Sequence, residues 1–297
     1  MGRRQSGMTM LETLLVCSLV SLLISLSIPA LLRVRAAADR LRCQSHLRQI
    51  GQALHLHHND FVRFPPPPAW GESSPANRLS WMVFLLPYLD HKALYDDAVR
   101  ACDLANNPMQ VPPHTGAITV VRLYTCPADS RLQAAQTDEW GTTAAFTSYV
   151  VAGGGITREG RRYQGIMPGG KLELVLDGTS NTVCIGERPP PDSLQGGWWY
   201  PHLVYDTRGD RGPNGVLYFG PIIPYVPFDP QCAPTYRVTG PGRTRNPCDR
   251  FHFWSLHGGG SHFLFVDGSV RFLTYGVDPH MPALISFNGG EPVTLPD

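Results

Sequence analysis

Residues 13–32 form a run of twenty residues without a charged side chain near the amino terminus of this 297-residue chain. As a helix, the run would be about 30 Å long, which matches the hydrocarbon thickness of a bilayer. Because Arg3 and Arg4 precede it, the positive-inside rule predicts that the short amino-terminal end stays in the cytoplasm. The sequence therefore predicts one membrane-spanning helix and an exported carboxyl-terminal part.

A plain signal sequence does not account for this run. A cleavable secretory signal has a shorter apolar core that ends at a small-x-small site, and Ser27-Ile28-Pro29-Ala30 matches such a site poorly. An uncleaved signal anchor is the simpler alternative, but it leaves Glu12 unexplained. A carboxylate near the start of a spanning helix costs about 1–3 kcal/mol and indicates a functional role.

Cleavage of the chain after Gly7 would give this carboxylate a partner. Met8 would then carry a new α-amino group, four residues before Glu12 and on the same helix face. The acid would pair with that cation, either its own or that of a neighbouring subunit.

The segment Gly7-Met8-Thr9-Met10-Leu11-Glu12 resembles the type IV prepilin signal. Pro29 extends the resemblance, since it is the twenty-second residue counted from Met8, where pilins often have a helix-kinking proline. The resemblance implies that a prepilin peptidase cleaves after Gly7 and methylates the new amino terminus. It also implies that Glu12 registers subunits in a filament. Met8 replaces the usual Phe and Met10 the usual Leu, and both replacements are apolar.

The helix is predicted to continue beyond the membrane run as an amphipathic segment over residues 33–61. Apolar or small side chains recur there at near-helical spacing: Val34, Ala38, Leu41, Leu47, Ile50, Leu54 and Phe61. A helix over residues 8–58 would be roughly 75 Å long, with a bend near Pro29. We therefore predict a leader over residues 1–7, a transmembrane helix over 8–32 and a globular head over 62–297, covered by the stripe of 33–61.

The head is predicted to be α+β, with an antiparallel sheet packed on the long helix and with long Gly/Pro-rich loops. In "SHFLFVDGSVRFL" two apolar runs flank Asp267-Gly268, which is a strong two-residue hairpin signal. We expect a type I′ turn, with positive φ at both central residues. The 30 glycines and 28 prolines favour loops elsewhere in the head.

His257, Asp267 and Gly268 stand in a His-x9-Asp-Gly arrangement within "HGGGSHFLFVDGSVRF". This arrangement resembles the prepilin-type His-x9-Asp-Gly domain of a bacterial family of unknown function that is also catalogued as solute-binding-protein-like. The segments "CQSHLRQIGQALHLHHND", "FPP" and "DGTSNTVCIGE" match the same family. Because the intervening strand would separate His257 from Asp267, we expect structural roles for both rather than an acid–base pair.

Six cysteines lie outside the apolar run, and Cys17 lies within it as a predicted free thiol. Six cysteines allow fifteen pairings, so the sequence alone does not decide among them. Cys232 and Cys248 bracket a Pro/Gly/Arg loop and form the first candidate disulfide, and Cys43–Cys126 is the second. We expect Cys184 to be a buried strand thiol.

Two groups of polar side chains have metal-like spacing. His55 and His58 are three residues apart on one helix face and could hold a zinc-type ion, although a polar helix end is the commoner explanation. Calcium is a second possibility, through the side chains of Asp177, Thr179, Asn181 and Glu187, although an Asx-turn explains that segment as well. No other cofactor is expected.

Composition and motifs together exclude several functional classes. The net charge of +1, with 16% charged residues, argues against a nucleic-acid partner. The sequence contains no HExxH, G-x-S-x-G, P-loop or Rossmann glycine pattern, so we do not expect an enzyme.

The sequence predicts a pilin-like or pseudopilin-like subunit of a bacterial cell-envelope filament or a type II secretion-like system. Its partners would be prepilin peptidase, other pilin-like subunits and inner-membrane lipid, with the head in the periplasm or at the cell surface. The alternative is a membrane-anchored exported module that binds a ligand or a polysaccharide. Under that alternative, Trp198, Trp199, Tyr200 and Tyr205 could form a stacking surface.

Overall fold

The computed structural model describes residues 10–65, 79–138, 141–156, 161–194, 197–200, 232 and 237–290. Gly7, Met8 and Tyr205 lie outside the described residues. The α-helices in the described part are α1 (Met10–Phe61), α2 (Trp81–Leu85), α3 (Lys92–Leu104) and α4 (Met281–Ile285). Short 3-10 helices cover Leu86–Leu89, Thr115–Ile118, Arg122–Tyr124, Ser130–Gln133, Leu172–Leu174, Pro247–Phe251 and Tyr275–His280.

The main sheet has four antiparallel strands, which confirms the predicted α+β fold. The strands of the described part are β1 (Gln136–Thr137), β2 (Thr143–Ala144), β3 (Tyr149–Val151), β4 (Gly154–Ile156), β5 (Arg162–Gln164), β6 (Val183–Glu187), β7 (Gly260–Phe265) and β8 (Val270–Thr274). The strand order of the main sheet is β3-β6-β7-β8, and β1-β2 and β4-β5 form two separate two-stranded sheets.

Helix α1 has 52 residues and continues through Pro29. At 1.5 Å per residue it is about 78 Å long. The large apolar side chains of its first half are exposed, and no residue of its most apolar stretch is buried within the structure. It is one helix of sufficient length and apolar character to cross a membrane.

The predicted apolar stripe of residues 33–61 is only half correct. Leu47, Ile50 and Leu54 are buried, but Val34, Leu41 and Phe61 are exposed, at 66%, 66% and 60%. Val34 and Leu41 are exposed because burial of the helix begins at Cys43, so the turns before it lie beyond the edge of the head. Phe61 is exposed at the other end, where it is the last residue of α1. Periodicity in the sequence marks an apolar face, but it does not show where the covering surface begins.

The buried face of α1 packs against β7, β8 and α2. At Gly51 the helix approaches the sheet so closely that an added Cβ would lie 2.8 Å from the Cδ1 of Leu264. This glycine therefore sets the distance between the helix and the sheet.

The predicted aromatic stacking surface is wrong for the three aromatics that the structure describes. Trp198, Trp199 and Tyr200 are buried in the core. The indole N–H of Trp199 donates to the carbonyl oxygen of Thr119 at 2.8 Å, and the hydroxyl of Tyr200 lies 2.9 Å from His114 Nδ1. The polar atoms of Trp199 and Tyr200 thus have partners in the interior, as buried Trp and Tyr side chains require. Trp198 Nε1 is buried without a hydrogen-bond partner among the described residues.

The β7-β8 hairpin forms as predicted, but its turn is not type I′. Only Gly268 has positive φ, at 84°, and Asp267 does not adopt positive φ. Phe265 N–H donates to Ser269 O at 2.8 Å, so the loop holds three residues rather than two. This is the three-residue connection in which a turn is followed by a glycine at positive φ. Asp267 accepts from Ser269 N–H at 2.8 Å and stabilises the turn.

Ser80 caps helix α2 from within the core. Its Oγ accepts from Met82 N–H at 3.2 Å, and its hydroxyl donates to Trp199 O.

We expect Ser80→Ala to lower the free energy of unfolding by about 1–2 kcal/mol, because it removes a helix cap and leaves buried groups without a partner. Denaturant unfolding followed by tryptophan fluorescence measures this loss. The matched control is Ser130→Ala at an exposed serine, which should change stability by about 0.5 kcal/mol or less. Equal effects of the two substitutions would contradict the assignment of Ser80 as a stabilising helix cap.

Candidate functional site

Glu187 is the last residue of strand β6 and is fully buried. Its carboxylate turns toward the neighbouring strand β7, where Oε2 accepts from the backbone N–H of His262 at 2.8 Å. His262 Nδ1 lies 3.2 Å from the same oxygen. The register of the sheet produces this contact, because Gly186 pairs with Phe263 and so brings the next residue of β6 beside His262.

His257 lies in the loop before β7 and approaches Glu187 from the other side. Its Nε2 is 3.5 Å from Oε1 of Glu187, which is longer than a hydrogen bond. The loop is fixed by Ser255, whose Oγ accepts from His257 N–H at 3.0 Å and donates to Gly260 O at 2.7 Å. His257 is therefore held in place by its backbone, while its ring faces inward.

Two cysteines complete this arrangement. Cys43 of α1 forms a disulfide with Cys126, which follows the 3-10 helix Arg122–Tyr124, and Cys126 Sγ lies 3.5 Å from His257 Nε2. We call Cys43, Cys126, Glu187 and His257 the Cys–Glu–His cluster. All four residues are buried, and one ligand-type atom from each lies within 4.8 Å of the others.

The two histidines beside Glu187 keep its carboxyl group ionised. Burial by itself would raise the pKa of Glu187, because a low-dielectric interior disfavours the charged form. The close contact of His257 and the hydrogen bonds from His262 outweigh burial, so the pKa of Glu187 is lowered from its ordinary value of 4.5. The head thus encloses a carboxylate at neutral pH.

A cleft of about 460 Å³ borders the cluster at His257. Two loop segments form its walls, and Arg243, Arg245, Trp254 and Tyr275 are among the side chains that line it. Both arginines are exposed to solvent, whereas Trp254 is buried. The cleft connects the surface of the head to the position of His257.

The His-x9-Asp-Gly residues do not form one site. His257 belongs to the cluster, whereas Asp267 and Gly268 make the turn at the other end of β7. Asp267 N–H also donates to Thr179 O at 3.0 Å, which joins the turn to the segment before β6. A structural role for Asp267 agrees with the sequence analysis.

The two groups with metal-like spacing are not assembled as metal sites among the described residues. His58 Nε2 accepts from Leu172 N–H at 3.2 Å, and among the described residues neither His55 nor His58 belongs to a group of three or more potential metal ligands. Asp177 accepts from Gly289 N–H and Gly290 N–H at 2.8 and 2.7 Å, whereas Glu187 binds the histidines. The expected calcium ligand set is therefore divided between two places.

The other predicted residues lie away from the cluster. Cys232 and Cys248 form a second disulfide, with a Cα–Cα distance of 5.4 Å. Cys184 is a buried free thiol on β6, and Glu12 and Pro29 lie in the exposed half of α1. Gly7 and Met8 lie outside the described residues.

The role of Glu187 was not identified from the sequence, and His262 was not singled out. The available signal was the spacing of His257 and His262 in "HGGGSH", followed by a strand, together with the acid that ends "TVCIGE". Antiparallel pairing of these two strands places the acid and the second histidine side by side.

The fold and the cluster define an α+β head carried on one membrane-length helix, an arrangement that fits a pilin-like architecture. The chain belongs to the family described as "Protein of unknown function (DUF1559)", SBP_bac_10, whose model matches residues 33–280. The match begins directly after the apolar run, and so it covers the amphipathic half of α1 and most of the head. Neither the curated proteins nor the solved structures contain a match to the chain.

Proposed function

We propose that the chain is a non-enzymatic pilin-like or pseudopilin-like subunit of a bacterial cell-envelope filament or type II secretion-like system. One observation carries this proposal: the exposed apolar half of α1 continues as one helix into the core of the head. A simple anchor needs no rigid connection to its head. A filament subunit does need one, because helix packing in the filament must fix the position of each head.

The proposal places the amino terminus in the cytoplasm, the apolar half of α1 in the inner membrane and the head in the periplasm or at the cell surface. Arg3 and Arg4 support this orientation. Prepilin peptidase would cleave after Gly7, and other pilin-like subunits would pack on the exposed apolar half of α1. Once in the filament, Glu12 would pair with the α-amino group of a neighbouring subunit.

The amino terminus of the protein from its own membranes tests processing directly. We expect mass spectrometry to find N-methylated Met8 as the first residue, and we expect Gly7→Val to leave a precursor that begins at Met1. The matched control is Gly2→Val, which changes a glycine of the same leader away from the cleavage site. An intact Met1 in the unsubstituted protein would contradict the proposal.

Glu12 provides the test of assembly. We expect Glu12→Leu to insert normally in the membrane, because it removes a charge from an apolar helix, but to reduce the sheared filament fraction at least tenfold. The loss follows from removal of the carboxylate that pairs with the neighbouring α-amino group, an electrostatic contact in a low-dielectric environment.

The control for Glu12→Leu is Ser18→Leu, which makes the same helix more apolar without removing a charge. The Ser18 hydroxyl donates to Leu15 O of its own helix, so its removal breaks a hydrogen bond within the subunit rather than one between subunits. Ser18→Leu should assemble at normal yield. If Glu12→Leu also gave filaments at normal yield, the proposed role of Glu12 in registering subunits would be contradicted.

The second candidate function is a membrane-anchored module that binds a ligand or a polysaccharide. The cleft with Arg243, Arg245 and Tyr275 favours this alternative, because exposed guanidinium groups and an aromatic ring suit an acidic saccharide. Under this alternative, Glu12 has no role in assembly, so Glu12→Leu changes the behaviour of the anchored protein little. Binding of a polyuronate to the full chain in detergent, with loss in the Arg243→Ala/Arg245→Ala variant, would favour it.

A further inference from the structure

We propose that the Cys–Glu–His cluster is a metal site that binds one zinc-type divalent ion when the disulfide Cys43–Cys126 is reduced. The proposal does not depend on the pilin-like function. It follows from the chemistry, the distances and the burial of the four residues.

The four side chains are the donors that zinc prefers. Two thiolates, one imidazole nitrogen and one carboxylate oxygen make a set of four atoms that each bind zinc in proteins. Thiolates select zinc over calcium and magnesium, which take oxygen ligands. All four residues are buried, and they supply all four positions of a tetrahedral ion, as in a structural rather than a catalytic centre.

The two distances from His257 already suit a tetrahedral ion, whereas the two sulfurs separate only when their bond is reduced. Zinc–ligand bonds of about 2.0–2.3 Å imply about 3.6 Å between a nitrogen and a sulfur ligand and about 3.4 Å between a nitrogen and an oxygen ligand. His257 Nε2 lies 3.5 Å from Cys126 Sγ and 3.5 Å from Glu187 Oε1. His257 therefore stands at ligand spacing from both neighbours.

Hydrogen bonds from neighbouring residues hold two of the four ligands in place. His262 binds Oε2 of Glu187 through its backbone N–H, and Oε1 has no hydrogen bond among the described residues while it faces the cluster. A buried carboxylate oxygen without a hydrogen-bond donor is costly unless a cation binds it. Ser255 fixes the loop that carries His257. Such outer contacts orient metal ligands and hold their geometry.

Metal binding and the disulfide exclude each other, because they use the same two sulfurs. A dithiol reductant supplies two electrons and two protons: the Cys43–Cys126 S–S bond breaks, two thiols form and the reductant becomes a disulfide. The divalent ion then replaces the two thiol protons, which leave to solvent. The cleft beside His257 provides a path for the ion.

Cobalt(II) reports this geometry in the full chain. We expect the full chain, reduced by a phosphine in detergent without oxygen, to take up about one cobalt ion and to show thiolate charge-transfer and tetrahedral d–d bands. Added zinc should displace the cobalt, and elemental analysis should find about one zinc ion per chain. The oxidised chain should show neither band. Absence of these bands from the reduced chain would overturn the proposal.

Variants assign the bands to the cluster. We expect Glu187→Gln to weaken metal binding by about 10-fold or more, and Cys43→Ser/Cys126→Ser to abolish the thiolate band. The matched control is Cys232→Ser/Cys248→Ser, which removes the other disulfide and should leave metal uptake unchanged. Circular dichroism checks that each variant is folded. Equal cobalt spectra from the two double variants would contradict the proposal that the Cys–Glu–His cluster binds the metal.

Discussion

Replacing Cys43 and Cys126 together by serine is expected to lower the free energy of unfolding of the oxidised protein by about 4.5 kcal/mol. The disulfide spans a sequence separation of 83, and in the chain-entropy model a loop of that size restricts the unfolded chain by this amount. Denaturant unfolding of the full chain in detergent, followed by tryptophan fluorescence, measures the loss. The double replacement leaves no single free thiol beside His257.

This bond also connects the long helix α1 to the head. Cys43 is the first buried residue of α1, so the bond lies at the point where the helix emerges from the head. Beyond Cys43, the apolar side chains of Leu47, Ile50 and Leu54 hold the helix. Polar contacts add to them, since Gln44 donates to Val270 O and His46 Nδ1 lies 3.1 Å from Thr125 O.

The second disulfide is the matched control. Cys232–Cys248 has the same Cα–Cα distance of 5.4 Å but a sequence separation of only 16, so the same relation gives about 3 kcal/mol for Cys232→Ser/Cys248→Ser. The first pair should therefore cost more than the second by roughly 1.5 kcal/mol. A larger loss for the second pair would show that loop entropy does not govern either bond.

Local features of this fold could be predicted from the sequence. The long helix α1 depends on a continuous apolar run and on periodicity over neighbouring turns, and the β7-β8 hairpin depends on Asp267-Gly268 between two apolar runs. The predicted turn type was wrong because the same local sequence pattern is compatible with two turn structures. Asp267-Gly268 suits a two-residue turn and also a three-residue turn that ends in glycine, and the structure contains the second.

The Cys–Glu–His cluster could not be predicted, because its residues meet only through the sheet. Cys43, Cys126, Glu187 and His257 lie far apart in the sequence, and the register of β6 against β7 brings the acid to the histidines. A shift of one residue in that register would turn Glu187 to the other face. The family segments around Cys43, Glu187 and His257 were recognised one by one, but their spatial relation is a property of the tertiary fold.

Glu187→Leu is expected to lower the free energy of unfolding by about 3–5 kcal/mol at neutral pH. Leucine has a similar size but no acceptor, so the buried N–H of His262 loses its partner and the contacts of the buried carboxylate with the two imidazoles are lost. Glu187→Gln should cost less, because its side-chain oxygen still accepts from His262 N–H. The matched control is Glu173→Leu at an exposed glutamate, which should change stability by about 0.5 kcal/mol or less.

The dependence of this loss on pH tests its electrostatic origin. The folded state lowers the pKa of Glu187, so its carboxylate stabilises the fold fully above the ordinary value of 4.5, and this contribution decreases as the pH falls through the lowered pKa. The difference in unfolding free energy between the unsubstituted protein and Glu187→Leu should therefore be constant near neutral pH and should shrink at acid pH. Unfolding curves from pH 7 down to about pH 3 measure that difference across the range in which a carboxylate titrates. A difference that stays the same at acid pH would mean that Glu187 stabilises the head by packing and neutral hydrogen bonds rather than by its charge.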